Sequence, residues 1–104
     1  MDDKILDKQK EFQKLLGNDI HSKSFLKEMF LGLQCEVSEA LQETDWKSWQ
    51  ANKVVKEENL LEELADIQLF FANIMIARDF NAEQLNTMIK FKQGKNIQRQ
   101  KDGY

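Results

Sequence analysis

Not one proline occurs in 104 residues, and glycine occurs only four times. Proline breaks a helix by removing a backbone donor and clashing with the preceding turn, and glycine weakens it entropically. A chain almost free of both, with apolar residues at helical spacing, is predicted to be all-α. Hydrophobic residues make up 41% and charged residues 32%, ordinary values for a globular protein. The length sets one domain spanning residues 1–104. A chain this short buries a limited core, so a second copy is expected to help.

Four helical stretches follow from periodicity. The first covers about residues 3–16, with Ile5, Leu6, Phe12, Leu15 and Leu16 on a loose apolar face, and ends at Gly17-Asn18-Asp19. The second runs from Ser24, read as its N-cap, to Thr44, with Leu26, Phe30, Leu33, Val37 and Ala40 as its core stripe. After the polar connection TDWKSWQANK, the third covers about 56–79, with Leu60, Leu64, Ile67, Phe71 and Ile74 as its stripe. Asn81 caps a fourth, about 82–93, with Leu85, Met88, Ile89 and Phe91 facing inward, and a polar, basic tail follows from Gly94 to Tyr104. Two long amphipathic helices joined by a short connection read as an antiparallel pair. Their wide stripes predict an antiparallel bundle whose four-helix core is completed by homo-oligomerisation, as a dimer or tetramer.

The net charge is −3 and the pI near 5.2, which argues against a nucleic-acid partner, since such proteins neutralise phosphates with a cationic excess. The basic charge gathers at the end: Lys90, Lys92, Lys95, Arg99 and Lys101 stand against Asp102 alone. A single cysteine, Cys35, allows neither an internal disulfide nor a zinc motif. The N-terminus has no signal-like core and no apolar run reaches the roughly 20 residues of a membrane span, so a cytoplasmic protein with no membrane partner is expected.

The chemistry lies in acids off the apolar stripes. The second helix carries Glu36 and Glu39 three residues apart, with Glu43 beyond, and the third carries Glu63 and Asp66 at the same spacing, with Glu62 adjacent. Residues at i and i+3 share a helix face. Each acidic face lies roughly 90–130° from its apolar stripe, so antiparallel packing lets both border one groove. Converging carboxylates repel one another unless a hard divalent ion sits among them, and oxygen ligands suit Mg²⁺ or Mn²⁺. The same spacing also fits an ordinary solvated face. Glu43 and Glu62 fit plain exposure better than a supporting position beside the ion.

Glu36-Val-Ser-Glu39, 23 intervening residues, then Glu63-Leu-Ala-Asp66 resembles the ExxE…ExxD signature of the all-α nucleoside triphosphate pyrophosphatases, which include MazG-like proteins and the dimeric dUTPases and dCTPases. Trp46-Lys47-Ser48-Trp49 is similar to the WKxW element of the dimeric dUTPases. The spacing of Lys92, Asn96, Arg99-Gln100 and Gly103-Tyr104 resembles their KxxxNxxRQxxGY motif. The segment Gln9-Lys-Glu-Phe-Gln13 is loosely similar to their base-recognising segment. The chain departs from the family in being shorter and in stopping at Tyr104, which bears on the base it accepts.

The resemblance implies hydrolysis of a nucleoside triphosphate, dUTP above all, to the monophosphate and pyrophosphate by water attack at the α-phosphorus. It implies Mg²⁺ (or Mn²⁺) on Glu36, Glu39, Glu63 and Asp66, with Glu39 as first choice, and Glu36 as second, for the group that deprotonates water. Lys92, Asn96, Arg99, Gln100 and Tyr104 would contact substrate, with Gln13 or Asn96 at the uracil edge. The alternatives are a MazG-like enzyme of broader nucleotide choice and a non-catalytic helical dimerisation module. Trp46 and Trp49 suit packing at least as well as base stacking. His21 is expected to have no role, and Cys35 shows no base to activate it. Asn73, two turns beyond Asp66, either contacts ligand or is exposed.

Overall fold

The computed structural model describes residues 1–103. Four helices, α1 (Asp3–Leu15), α2 (Lys23–Gln42), α3 (Glu57–Ala77) and α4 (Ala82–Lys101), account for all of its regular structure, with no strand among the described residues. The chain is all-α, and among the described residues no helix is long and apolar enough to cross a membrane. Tyr104 lies outside the described residues.

The helix ends follow local chemistry. Asp2 caps α1 by accepting from the Ile5 amide at 2.9 Å. Gly17 takes the left-handed conformation at φ 75°, and the Asn18 amide then reaches back to the Gln13 carbonyl at 3.1 Å, closing α1 in a Schellman turn. The cap of α2 is Ser22, not Ser24: its Oγ accepts from the Phe25 amide at 3.0 Å while donating to the Asp19 carbonyl. Ser24, already helical, turns its hydroxyl to Glu28. The helix stops at Gln42 because the Thr44 hydroxyl takes the Leu41 carbonyl at 2.7 Å. Asn81 and Gln84 form a reciprocal capping box at the start of α4, with both bonds at 2.8 Å.

The contacts between α2 and α3 run in reverse order. Met29 meets Asn73, Gly32 meets Phe70, and Glu36 meets Glu63, so the pair is antiparallel. At the Gly32 contact the Phe70 ring lies against the backbone of α2, where a β-carbon would fall within 2.8 Å of ring atoms. The first helix lies along α3 in the same reversed sense: Gln9 bonds Asn73, and Asp3 accepts from the Ala82 amide at the start of α4. The core forms at that end, from Leu6, Ala72, Met75 and Ile76, with Met1, Ile20, Phe71 and Leu85 packed around it. Ala72 and Ile76 have no exposed surface.

The fourth helix is longer than its sequence suggests. It continues through Gly94 to Lys101, because strong helix formers flank that glycine and a single glycine costs only about 1 kcal/mol. It also points away from the core. Leu85 is half-buried, but Met88, Ile89 and Phe91, expected to face inward, are exposed, as is every residue from 86 to 103. The radius of gyration, 17.1 Å, exceeds the roughly 13 Å of a closed domain of this length for the same reason. Phe30, Val37, Leu41, Leu61 and Leu64 likewise leave apolar faces of α2 and α3 open.

Candidate active site

The antiparallel register brings the late part of α2 against the early part of α3. Carboxylate oxygens of Glu36, Glu39 and Glu63 come within 4.8 Å of one another. Oε2 of Glu36 and Oε2 of Glu63 are both buried without a hydrogen-bond partner. Two orphaned anionic oxygens at one spot are costly unless a proton or a cation joins them. Burial, chiefly, and then the Glu63 carboxyl and the charges of Glu39 and Asp66, push Glu36 up from the usual carboxylate range to about 7. Burial raises Glu63 as well. The charges of Glu39 and Asp66 act in the same direction, and the neighbouring Glu36 carboxyl opposes them. The ligand atoms are all carboxylate oxygens, crowded together and short of hydrogen-bond donors, which fits a hard divalent cation.

Asp66 stands one turn beyond Glu63 and outside that 4.8 Å group, yet it lines a cavity together with Glu36. The cavity, of about 410 Å³, runs from these two acids along α1, α2 and α3. Its far end is lined by the amides of Gln9, Gln13, Asn18 and Asn73, with Phe70 as an apolar wall. The amides are paired. Gln9 Nε2 donates to Asn73 Oδ1 at 2.9 Å, Asn73 Nδ2 donates to Met29 Sδ at 3.3 Å, and Asn18 Nδ2 donates to Gln13 Oε1 at 2.7 Å. Gln13 and Asn73 are buried, at 3% and 6% exposure. Asn73 is therefore not the exposed residue that its sequence position allowed.

Of the residues singled out in the sequence, Glu36, Glu39, Glu63, Asp66 and Gln13 are brought together around one acid cluster and cavity. Lys92, Asn96, Arg99 and Gln100 are not: they lie on the exposed part of α4 and none lines the cavity. Tyr104 is outside the described residues. Glu62 is exposed and Glu43 half-buried. Trp46 and Trp49 pack edge to face, ring centres 5.6 Å apart, with the Lys47 ammonium over Trp46, so the connection between α2 and α3 is held by its own aromatic pair. His21, for which no role was expected, bonds Asp79 at 2.9 Å and ties the α1–α2 turn to the α3–α4 corner. Cys35 is exposed and unpaired.

Sequence reasoning passed over Asn18 and Phe70 as parts of a site, and reached Gln9 only as the start of the segment similar to a base-recognising one. One signal was available: a lone Asn73 inside the apolar run Leu69–Ala77 must be buried with partners, and buried amides recruit amides. No curated protein and no solved structure matched the chain. The sequence model of the dUTPase family matches residues 3–100, from the start of α1 to the last turn of α4. That span takes in the acid pairs, the amide-lined cavity and the basic helix together. The chain thus belongs to the dUTPase family, the all-α group allied to MazG-like nucleoside triphosphate pyrophosphatases, and it is a dUTP diphosphatase.

Proposed function

We propose that this chain performs the family reaction, dUTP to dUMP and pyrophosphate, with a divalent cation held by Glu36, Glu39, Glu63 and Asp66. The observation that carries this reading is the pair of buried, unpartnered oxygens on Glu36 and Glu63, beside a cavity of about 410 Å³. When bound, Mg²⁺ (or Mn²⁺) would supply the charge that offsets the triphosphate's own and polarise its phosphoryl oxygens. The protein's residues do the rest. Glu39, the exposed member of the acid group, orients a water and takes its proton as the oxygen attacks the α-phosphorus. The bond to the bridging oxygen breaks and pyrophosphate leaves. The nucleoside lies along the cavity, with its sugar toward Phe70 and its base among the amides.

Lys92, Asn96, Arg99 and Gln100 contact the phosphates: arginine can grip two oxygens at once, while lysine acts as a point charge. None of them lines the acid-bearing cavity of their own chain, so a second copy, covering the open apolar faces of α2, α3 and α4, is proposed to bring a basic helix to each acidic groove. Pyrophosphate release from dUTP, measured with Mg²⁺ and with EDTA, tests the reading. Release should require the ion and vanish in Glu39→Gln. Release that persists in both EDTA and Glu39→Gln would remove the carboxylates from the mechanism. Equal release from all dNTPs would favour the broader MazG-like activity.

A further inference from the structure

Among the described residues, α4 is covered only at its first turn. Ala82 is buried there and Leu85 packs half-buried on the core, while every residue from 86 to 103 is exposed. Packing therefore does little to fix the direction of the helix, although Lys92, Asn96, Arg99 and Gln100 ride on its outer part. Arg99 lies roughly 25 Å along the axis from Ala82, so a tilt of about 10° at the root moves it by about 4 Å, more than the length of a hydrogen bond. The placing of these residues is decided at the corner between α3 and α4.

That corner holds a strained residue. Asp79 closes α3 at φ 57°, a left-handed conformation that glycine adopts freely and aspartate does not. Its amide and that of Phe80 return to the Ile76 and Met75 carbonyls, a turn that glycine would make equally well. What glycine lacks is the carboxylate. Asp79 Oδ1 accepts from His21 Nε2 at 2.9 Å, and the His21 backbone amide in turn donates to Asp19 Oδ1 at 3.1 Å. A second tie comes from α1, where Asp3 Oδ1 accepts from the Ala82 amide at 2.9 Å. One tie fixes a point, and two fix a direction. We propose that Asp79, with its partner His21 and with Asp3, is a positioning residue that aims α4 and so places the residues contacting the phosphates. The inference rests on the proposed function, which assigns Lys92, Asn96, Arg99 and Gln100 that contact. His21 and Asp79 keep 58% and 72% of their side chains exposed, so their pair adds little to stability. Strain held where stability gains so little points to a use in function.

The test compares Asp79→Gly with Asp79→Asn, which tolerates the left-handed conformation and keeps a side-chain oxygen for His21. Glycine relieves the backbone and removes only an exposed pair, so Asp79→Gly should melt at or above the wild-type Tm. Its KM for dUTP should nevertheless rise about tenfold or more, the effect of losing one charge-assisted phosphate bond, with kcat within about twofold. Asp79→Asn should keep both near wild type, and His21→Ala and Asp3→Ala should follow Asp79→Gly in KM. A merely structural role would move KM only together with Tm. Spin labels on the exposed Cys35 and on Lys95→Cys, diluted with unlabelled protein so that single chains are read, report the direction of α4 without activity. Their distance distribution should be narrow in the wild-type background and broaden in Asp79→Gly. An active wild type, with unchanged KM in folded Asp79→Gly and Asp3→Ala, overturns the inference and spares the proposed function. Distances that broaden in Asp79→Gly, with a wild type that releases no pyrophosphate from dUTP, uphold the aiming of α4 and overturn the proposed function.

Discussion

Two of the four glycines lie inside helices, and the structure gives the same substitution opposite signs at the two positions. At Gly94 no atom lies within 4 Å of where a β-carbon would be, so Gly94→Ala gains only helix propensity, about 0.5–1 kcal/mol. At Gly32 the added carbon would stand 2.8 Å from Cδ1 and Cζ of Phe70, and nearer still to Cε1. Carbon contacts settle at about 3.5–4.0 Å, so the ring must retreat by roughly 1 Å or more or the helices must part. Overpacking of this kind costs about 1–3 kcal/mol, and the propensity gain offsets about 1 of that. Gly32→Ala is thus expected to lose about 1 kcal/mol net, a fall of about 4–8 °C in Tm for a domain of this size. Gly94→Ala should rise by a few degrees. Because both variants share the propensity term, the gap between them isolates the packing term. Thermal melts at one fixed protein concentration, with EDTA present, measure it, since assembly would otherwise shift Tm. Phe70 also walls the cavity, so the KM for dUTP should rise in Gly32→Ala. A Gly32→Ala protein as stable as Gly94→Ala, with wild-type KM, would show that Phe70 does not seat against the α2 backbone.

Other consequences can be checked at modest cost. Glu36 is raised in the folded state from 4.5 to about 7, so its contribution to stability is fully present below about pH 4.5 and lost as pH rises through 7. Melts in EDTA should show this loss, and Mg²⁺ should reverse it at pH 8 more than at pH 5.5, because the ion needs the ionised carboxylates. Glu36→Gln removes a buried charge that faces other acids, so it should raise Tm in EDTA while losing both the Mg²⁺-dependent shift and activity. Arg99→Ala should raise KM for dUTP by about tenfold or more, with the wild-type KM itself rising with salt, as expected for a charge-assisted phosphate contact. Gly17→Ala must hold a β-carbon at φ 75°, costing about 1–2 kcal/mol, and thermal melts should show a correspondingly lower Tm.

What the sequence made legible is what local rules decide. The absence of proline and the 3–4 spacing of apolar residues are properties of single helices, and the first three helices and the start of the fourth stand within a few residues of where periodicity puts them. The acid pairs were legible for the same reason, since i and i+3 share a face whatever the helix packs against. The end of α4 was not, because glycine inside a helix and glycine beyond one differ only in what the flanking residues favour. Nor was the outward course of Met88, Ile89 and Phe91 legible: an apolar stripe says that a face will be covered, not by which chain. Ser22 and Ser24 are both capable caps, and only the turn made by Asp19 chooses between them.

The cavity was hidden for a different reason. Its polar end depends on a relation between α1, α2 and α3 that no single helix records, and glutamines on an exposed-looking helix carry no periodic signal. The structure also shows how Gln13 and Asn73 can be buried among these amides. Each makes a bond to another amide or to sulfur, so the set is held in place without substrate, whereas the buried Glu36 and Glu63 oxygens beyond it have no partner. A site that needed its nucleotide for both ends would fold poorly without it. Here one end is held by its own hydrogen bonds, and the other repels itself until positive charge arrives. Recognition of the base can therefore be rigid while capture of the phosphates depends on the ion. On this division, mutations at the amide end should change which nucleotide is used, and mutations at the acid end should change whether any is.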